Sequence, residues 1–153
     1  MDQLTKVHGR RLALFMKLDI WWGYNNIRIH DWDQWKAVFK MNWGLFEPMV
    51  MFFRLTNTPT TFQSMMNHLF YELINKGYVT IYIDNILIHT PNNLILHCCI
   101  VNEVLHILTD NDLYLKPQKC QFKVTEMKYL GFIICEDSIT MDLIKIQGMK
   151  NWK

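Results

Sequence analysis

The sequence predicts an α+β fold, an antiparallel sheet with helices packed on one face, and three patterns carry that expectation. Apolar residues recur at helical spacing from Pro59 to Lys76. Two short β-rich runs, Tyr78 to Ile83 and Ile86 to Thr90, stand either side of Asp84-Asn85, which is the spacing of a tight hairpin. A second helical stretch, about Asn93 to Thr109, is followed by further β-rich runs. Helices gathered on one face of an antiparallel sheet give this class.

Taken in chain order, residues 1–9 read as a short helix and Leu12 to Leu18 as a buried strand. Lys36 to Met41 and Met49 to Phe53 read as an antiparallel pair joined by a turn around Asn42-Trp43-Gly44. Thr58 is the expected N-cap of the first long helix, Pro59 fits its first turn, and Gly77 supplies a left-handed residue past its end. Phe62, Met65, Met66, Leu69, Phe70, Leu73 and Ile74 share its apolar face, with Gln63 and Asn67 on the other side. In the hairpin that follows, Asp84-Asn85 tolerates the positive φ that a two-residue turn requires. Val101, Val104, Leu105 and Leu108 form the inner face of the second helix. Phe122 to Val124 and Lys128 to Ile134 return as strands, and Leu143 to Trp152 closes as an amphipathic piece.

Composition sets limits. A chain of 153 residues is one domain, long enough for a sizeable core. Half its residues are hydrophobic and 14% are aromatic, which excludes global disorder. The net charge of +2, spread thinly, does not announce nucleic acid. The most apolar helical run, Leu94 to Leu108, is too short for a bilayer and carries His97, Asn102 and Glu103. Cys98, Cys99, Cys120 and Cys135 lack Cys-x-x-Cys spacing and read as buried apolar thiols rather than metal ligands. With a polar start to the chain, the expected location is intracellular, cytoplasm or nucleus.

Two acids draw the chemistry. Asp84 sits at the tip of an apolar hairpin, and Asp19 ends the apolar run that begins at Leu12. A carboxylate in such a setting is costly to desolvate unless a cation meets it. Two on adjacent strand ends suit a Mg²⁺ site that handles phosphates; each could equally end a strand as Asp often does.

Five segments stand in order along the chain: Phe15 to Ile29, Phe52 to Gln63, Tyr82-Ile83-Asp84-Asn85, Leu115 to Phe122, and Tyr129 to Ile134. Together they resemble the reverse transcriptase domain of Ty3/gypsy-type long-terminal-repeat retrotransposons. The resemblance implies a polymerase palm and RNA-directed DNA polymerase activity, in which two Mg²⁺ ions join a dNTP to a primer 3′-hydroxyl. It implies Asp19 and Asp84 as catalytic carboxylates, with the Ile20 carbonyl and Asn85 as further metal ligands. Tyr24, Arg54 and Gln63 match nucleotide-binding positions, and Lys119 matches a lysine that protonates the leaving pyrophosphate. Tyr129, Leu130 and Gly131 match the primer grip. The implied partners are an RNA or DNA template with its primer and dNTP.

Departures from the family pattern bear on activity. Asn85 replaces the second aspartate of the signature, Arg54 stands where the family has glycine, and Trp43 replaces a basic residue. Losing a partner of a metal ligand costs about 10–100-fold, and losing a ligand's charge more. The expectation is therefore a palm over residues 1–141 with its fingers largely missing, and the start of a thumb or a frayed helix over 142–153. Ribonuclease H and integrase segments are also expected to be absent, and catalysis impaired. Two alternatives stay open: a non-catalytic palm remnant that binds nucleic acid or protein, with Trp21, Trp22 and Trp43 free to stack on bases although at least one should be core, and a pseudogene product without a selected role.

Overall fold

The computed structural model describes residues 14–135 and 138–141. The helix expected over residues 1–9, and the pieces expected over 142–153, lie outside that range.

Four antiparallel strands make the central sheet, in the order β4 (Val79–Tyr82), β5 (Asn85–Thr90), β1 (Leu14–Asp19), β6 (Gln121–Val124). Side chains of a strand alternate between faces, and the sequence of β1 uses both. Met16 and Leu18, with Ile20 beyond the strand end, join Val79, Ile81, Ile86 and Ile88 against the helices α1 (Thr58–Leu69), α2 (Tyr71–Lys76) and α3 (Leu94–Asp110). Phe15 and Leu87 point the other way, onto Met127, Tyr129 and Ile134 of a second, three-stranded sheet: β7 (Glu126–Tyr129), β8 (Phe132–Cys135) and β9 (Ile139–Met141). Burying each large apolar side chain contributes about 1.5–3 kcal/mol, so the two clusters fix the layers. The remaining strands, β2 (Phe39–Met41) and β3 (Gly44–Phe46), form a separate hairpin whose residues are all exposed.

Several expected boundaries move. The second strand of the early hairpin is Gly44–Phe46, because Asn42-Trp43 alone makes the turn and Met41 pairs with Gly44. Met49 to Phe53 is not a strand; only Val50 bridges, to Arg28. Lys36 falls in a short 3-10 turn, Gln34–Ala37. The first long helix breaks at Phe70, and Asn57 rather than Thr58 precedes it. Thr58 instead donates its hydroxyl to the Phe52 carbonyl, 3.3 Å. Gly77 ends α2 at φ 73°, as its position required. Asn93 caps α3 by accepting from the Leu96 amide, while Leu105 faces solvent and His97 and Ile100 take the buried places. Cys98 and Cys99 are exposed, not core. Trp21, Trp22 and Trp43 are all exposed as well.

Candidate active site

The register of β1 against β5 brings the two acids together. Asp19 pairs with Asn85, the residue after Asp84, and the Ile20 amide donates to the Asp84 carbonyl at 2.8 Å. Two segments 65 positions apart in sequence thus meet at one end of the sheet. Asp19 is buried, and Asp84 is half-buried at the turn.

The turn itself is Ile83-Asp84, closed by the Tyr82–Asn85 pair, one residue earlier than the sequence suggested. Its positive φ, 54°, falls on Ile83 and not on Asp84 or Asn85. A β-branched residue in the left-handed region costs about 1–2 kcal/mol, so other contacts must hold it. Gln63 does: its Oε1 accepts from the Ile83 amide at 2.7 Å, and its Nε2 donates to the Ile81 carbonyl at 3.3 Å and to Asn67 Oδ1 at 2.9 Å. Gln63 therefore faces the sheet, not the outer side of α1. On the opposite flank, the Tyr129 hydroxyl donates to the Asn85 carbonyl at 3.2 Å. No spacing rule reports either contact, since Gln63 and Ile83 are 20 positions apart and Tyr129 and Asn85 are 44.

Around the acids, Lys119 follows from a short turn, Pro117–Lys119, and its ammonium lies 3.8 Å from Asp19 Oδ2. That turn is tied to the end of β1 by the Lys116 amide on the Asp19 carbonyl, 2.8 Å, and the Trp21 amide on the Tyr114 carbonyl, 2.7 Å. Both bonds bypass the Ile20 carbonyl. Tyr24 stands edge-on to the buried Phe62 ring, with centroids 5.4 Å apart. Burial pushes its hydroxyl pKa up, and the neighbouring Asp84 charge and Tyr82 push the same way. Tyr24 thus shares the field of Asp84. Burial likewise raises the Tyr129 hydroxyl, reinforced by Asp84.

The donor set fits a hard divalent cation in kind: carboxylate oxygens of Asp19 and Asp84 at neighbouring strand ends. Asn85 departs from that set. Its Nδ2 donates to Asp84 Oδ1 at 2.8 Å, so the amide occupies a carboxylate lone pair instead of adding charge. Among the described residues no three His, Cys, Asp or Glu side chains gather as a metal cluster.

The remaining expected site residues lie nearby in the fold or apart from it. Leu130 and Gly131 form the β7–β8 turn, both at positive φ, 52° and 81°, while the Tyr129 ring faces inward beneath Asn85. Arg54 is exposed in the loop before α1, at φ 88°. No contact links it to the two acids among the bonds and ion pairs of the described residues.

Comparison with known proteins shows the family and the fold. The sequence pattern of the family described as reverse transcriptase (RNA-dependent DNA polymerase) matches residues 2–134. The transposon Tf2-7 polyprotein of Schizosaccharomyces pombe is 32% identical over 150 residues, covering 98% of this chain and 11% of that one. The Tf2-3 polyprotein of the same organism is 31% identical over the same length. The chain therefore spans 11% of the curated relatives it matches. Among solved structures, the foamy viral protease-reverse transcriptase in complex with an RNA/DNA hybrid superposes with a TM-score of 0.84 at 18% identity, covering all of this chain and 20% of that one. A further structure of that protein with double-stranded DNA gives 0.85 at 19% identity, covering 99% and 26%. The polymerase-palm fold and the resemblance to Ty3/gypsy-type transposon reverse transcriptases are borne out.

Proposed function

The chain belongs to the reverse transcriptase (RNA-dependent DNA polymerase) family, and from that premise we propose that it is the palm, over residues 1–141, of a retrotransposon polymerase whose catalytic site is weakened by Asn85. The observation that supports the reading is the pairing of Asp19 with Asn85, which brings the chain segments carrying the Asp19 and Asp84 carboxylates to the same end of the sheet. Magnesium ions held by Asp19, Asp84 and the Ile20 carbonyl would neutralise charge on the transferred phosphoryl group and activate the primer hydroxyl.

The chain's own residues supply orientation. Phe62 fixes the Tyr24 ring, whose proposed place is against the sugar of the incoming dNTP. Lys119, an ammonium beside Asp19, stands ready to give a proton to departing pyrophosphate. The Leu130-Gly131 turn holds the primer strand, and Tyr129 supports it from below. The template and primer partners follow the same reading. Asn85 is the weak point, because two carboxylates rather than three face the cations.

The test is primer extension on an RNA template with Mg²⁺ or Mn²⁺, comparing the native chain with Asn85→Asp. We expect at least a tenfold gain in rate for Asn85→Asp. Without divalent ions Asn85→Asp should also melt earlier, since a third negative charge joins the pair, and added Mg²⁺ should reverse that loss. Unchanged rate and melting in both conditions would refute the metal-site reading. A second reading rests on the exposure of Trp21, Trp22 and Trp43, at 50%, 69% and 90%, which offers stacking surfaces for bases. Salt-sensitive binding of the same primer–template, without extension by either form, would favour it.

A further inference from the structure

The turn that carries Asp84 is anchored at three successive residues by three different elements. Ile83 is held by Gln63 of α1, Asp84 by the amide of Ile20 beyond β1, and Asn85 by the hydroxyl of Tyr129 from β7. Only the first anchor acts on a residue whose own backbone preference opposes the conformation it adopts. Ile83 sits at φ 54°, where a branched side chain crowds the following carbonyl. Left alone, Ile83 would relax toward extended backbone and swing the next residue with it.

The Gln63 carboxamide is built for the task. Its oxygen meets an amide that can only donate, which fixes the orientation of the group. Its nitrogen has two hydrogens, and both have acceptors, in the Ile81 carbonyl and in Asn67 one turn along the helix. A side chain committed through its oxygen and both of its amide hydrogens has little left to offer a nucleotide.

We propose that Gln63 is a positioning residue: it holds Ile83 in the left-handed bend and so fixes the backbone that carries the Asp84 carboxylate next to the end of β1. The inference rests on the reading of Asp84 as a cation ligand, and it departs from the expectation that Gln63 itself binds the nucleotide.

The experiment uses the whole chain with Mn²⁺ as the probe. Amide hydrogen exchange at Ile83 reports the clamp, and electron paramagnetic resonance of free Mn²⁺ reports the site. In Gln63→Leu, Ile83 exchange should rise at least tenfold while the Leu87 and Ile88 amides in β5 keep their protection. Mn²⁺ affinity should fall about tenfold. Ile83→Asn, which tolerates the left-handed region, should blunt the effect: Gln63→Leu in that background should lose less than threefold in affinity. A merely structural role for Gln63 would not show this rescue. Should Gln63→Leu fail to fold, Gln63→Glu keeps the acceptor and should keep Ile83 protected; loss of protection there overturns the proposal. A folded Gln63→Leu with native Ile83 exchange and native Mn²⁺ affinity also overturns it. If the native chain binds no Mn²⁺, the metal-site reading fails, and Ile83 exchange alone decides whether Gln63 holds the turn.

Discussion

At Arg54 the backbone runs at φ 88°, a conformation that glycine adopts freely and an L side chain resists. The sequence resemblance pointed to a glycine position there, and one use of glycine is room for a close approach. The geometry gives a second reason, which is torsional. A non-glycine residue in such a region carries about 1–3 kcal/mol of strain, and glycine gives back about 0.5–1 kcal/mol through the freedom of the unfolded chain. Arg54→Gly should therefore stabilise the fold by about 1 kcal/mol, read as a higher urea midpoint at unchanged slope. No shift, or a loss, would show that the guanidinium makes contacts that outweigh the strain. Asn85 follows a different logic, since its cost falls on the charge available to a cation and not on the fold. Its amide even adds a hydrogen bond to Asp84. Arg54→Gly should thus raise stability whereas Asn85→Asp should lower it without divalent ions, and a stability measurement distinguishes them.

The elements that hold the site depend on one close approach. A Cβ built on Gly23 would come within 2.6 Å of the Phe62 ring tip, and Phe62 is fully buried with its edge already set against Tyr24. Overpacking of this kind costs about 1–3 kcal/mol, because neither the 3-10 turn Gly23–Asn26 nor α1 can yield without disturbing the core. Gly23→Ala should lower the melting temperature and, by displacing Tyr24, raise KM for the dNTP more than it lowers kcat in an Asn85→Asp background. An unchanged KM would detach Tyr24 from the nucleotide. The apolar stripe of α1 and the β4–β5 hairpin were legible in the sequence because both rest on local periodicity, and Gly77 was legible because a left-handed helix end favours glycine. What local pattern could not give was the outcome of competition between distant groups. The positive φ fell on Ile83 because Gln63 reaches its amide, although Asp84 and Asn85 are the better turn residues. The β2–β3 hairpin closed at Gly44, so Met49 to Phe53, strand-like in composition, makes only the single bridge of Val50 with Arg28. Leu105 faces solvent because α3 turns His97, Ile100, Val104 and Leu108 inward.

Among the described residues, helices cover one face of the central sheet and the β7–β9 sheet covers part of the other. At the end of β5 away from Asn85 lies a buried histidine. His97 is 3% exposed on the first turns of α3, its Nδ1 within 2.9 Å of the Thr90 hydroxyl at the end of β5, and its Nε2 has no hydrogen-bond partner among the described residues. Desolvation by burial lowers its pKa, and the positive charge of Lys123 on β6 adds to the effect. Folding therefore keeps His97 neutral at pH values where the unfolded chain, near its ordinary value of 6.5, has begun to take up a proton. The stability contributed by the neutral ring is fully present above about pH 6.5 and is lost as pH falls from there toward the depressed folded value. Melting temperature should accordingly decline between pH 7.5 and 5.5, before the carboxylates titrate. His97→Asn keeps a partner for Thr90 without a titrating group, so its melting profile should be flatter over that interval even if its stability at pH 7.5 is lower. Parallel profiles for the two proteins would mean that the acid sensitivity arises elsewhere in the fold.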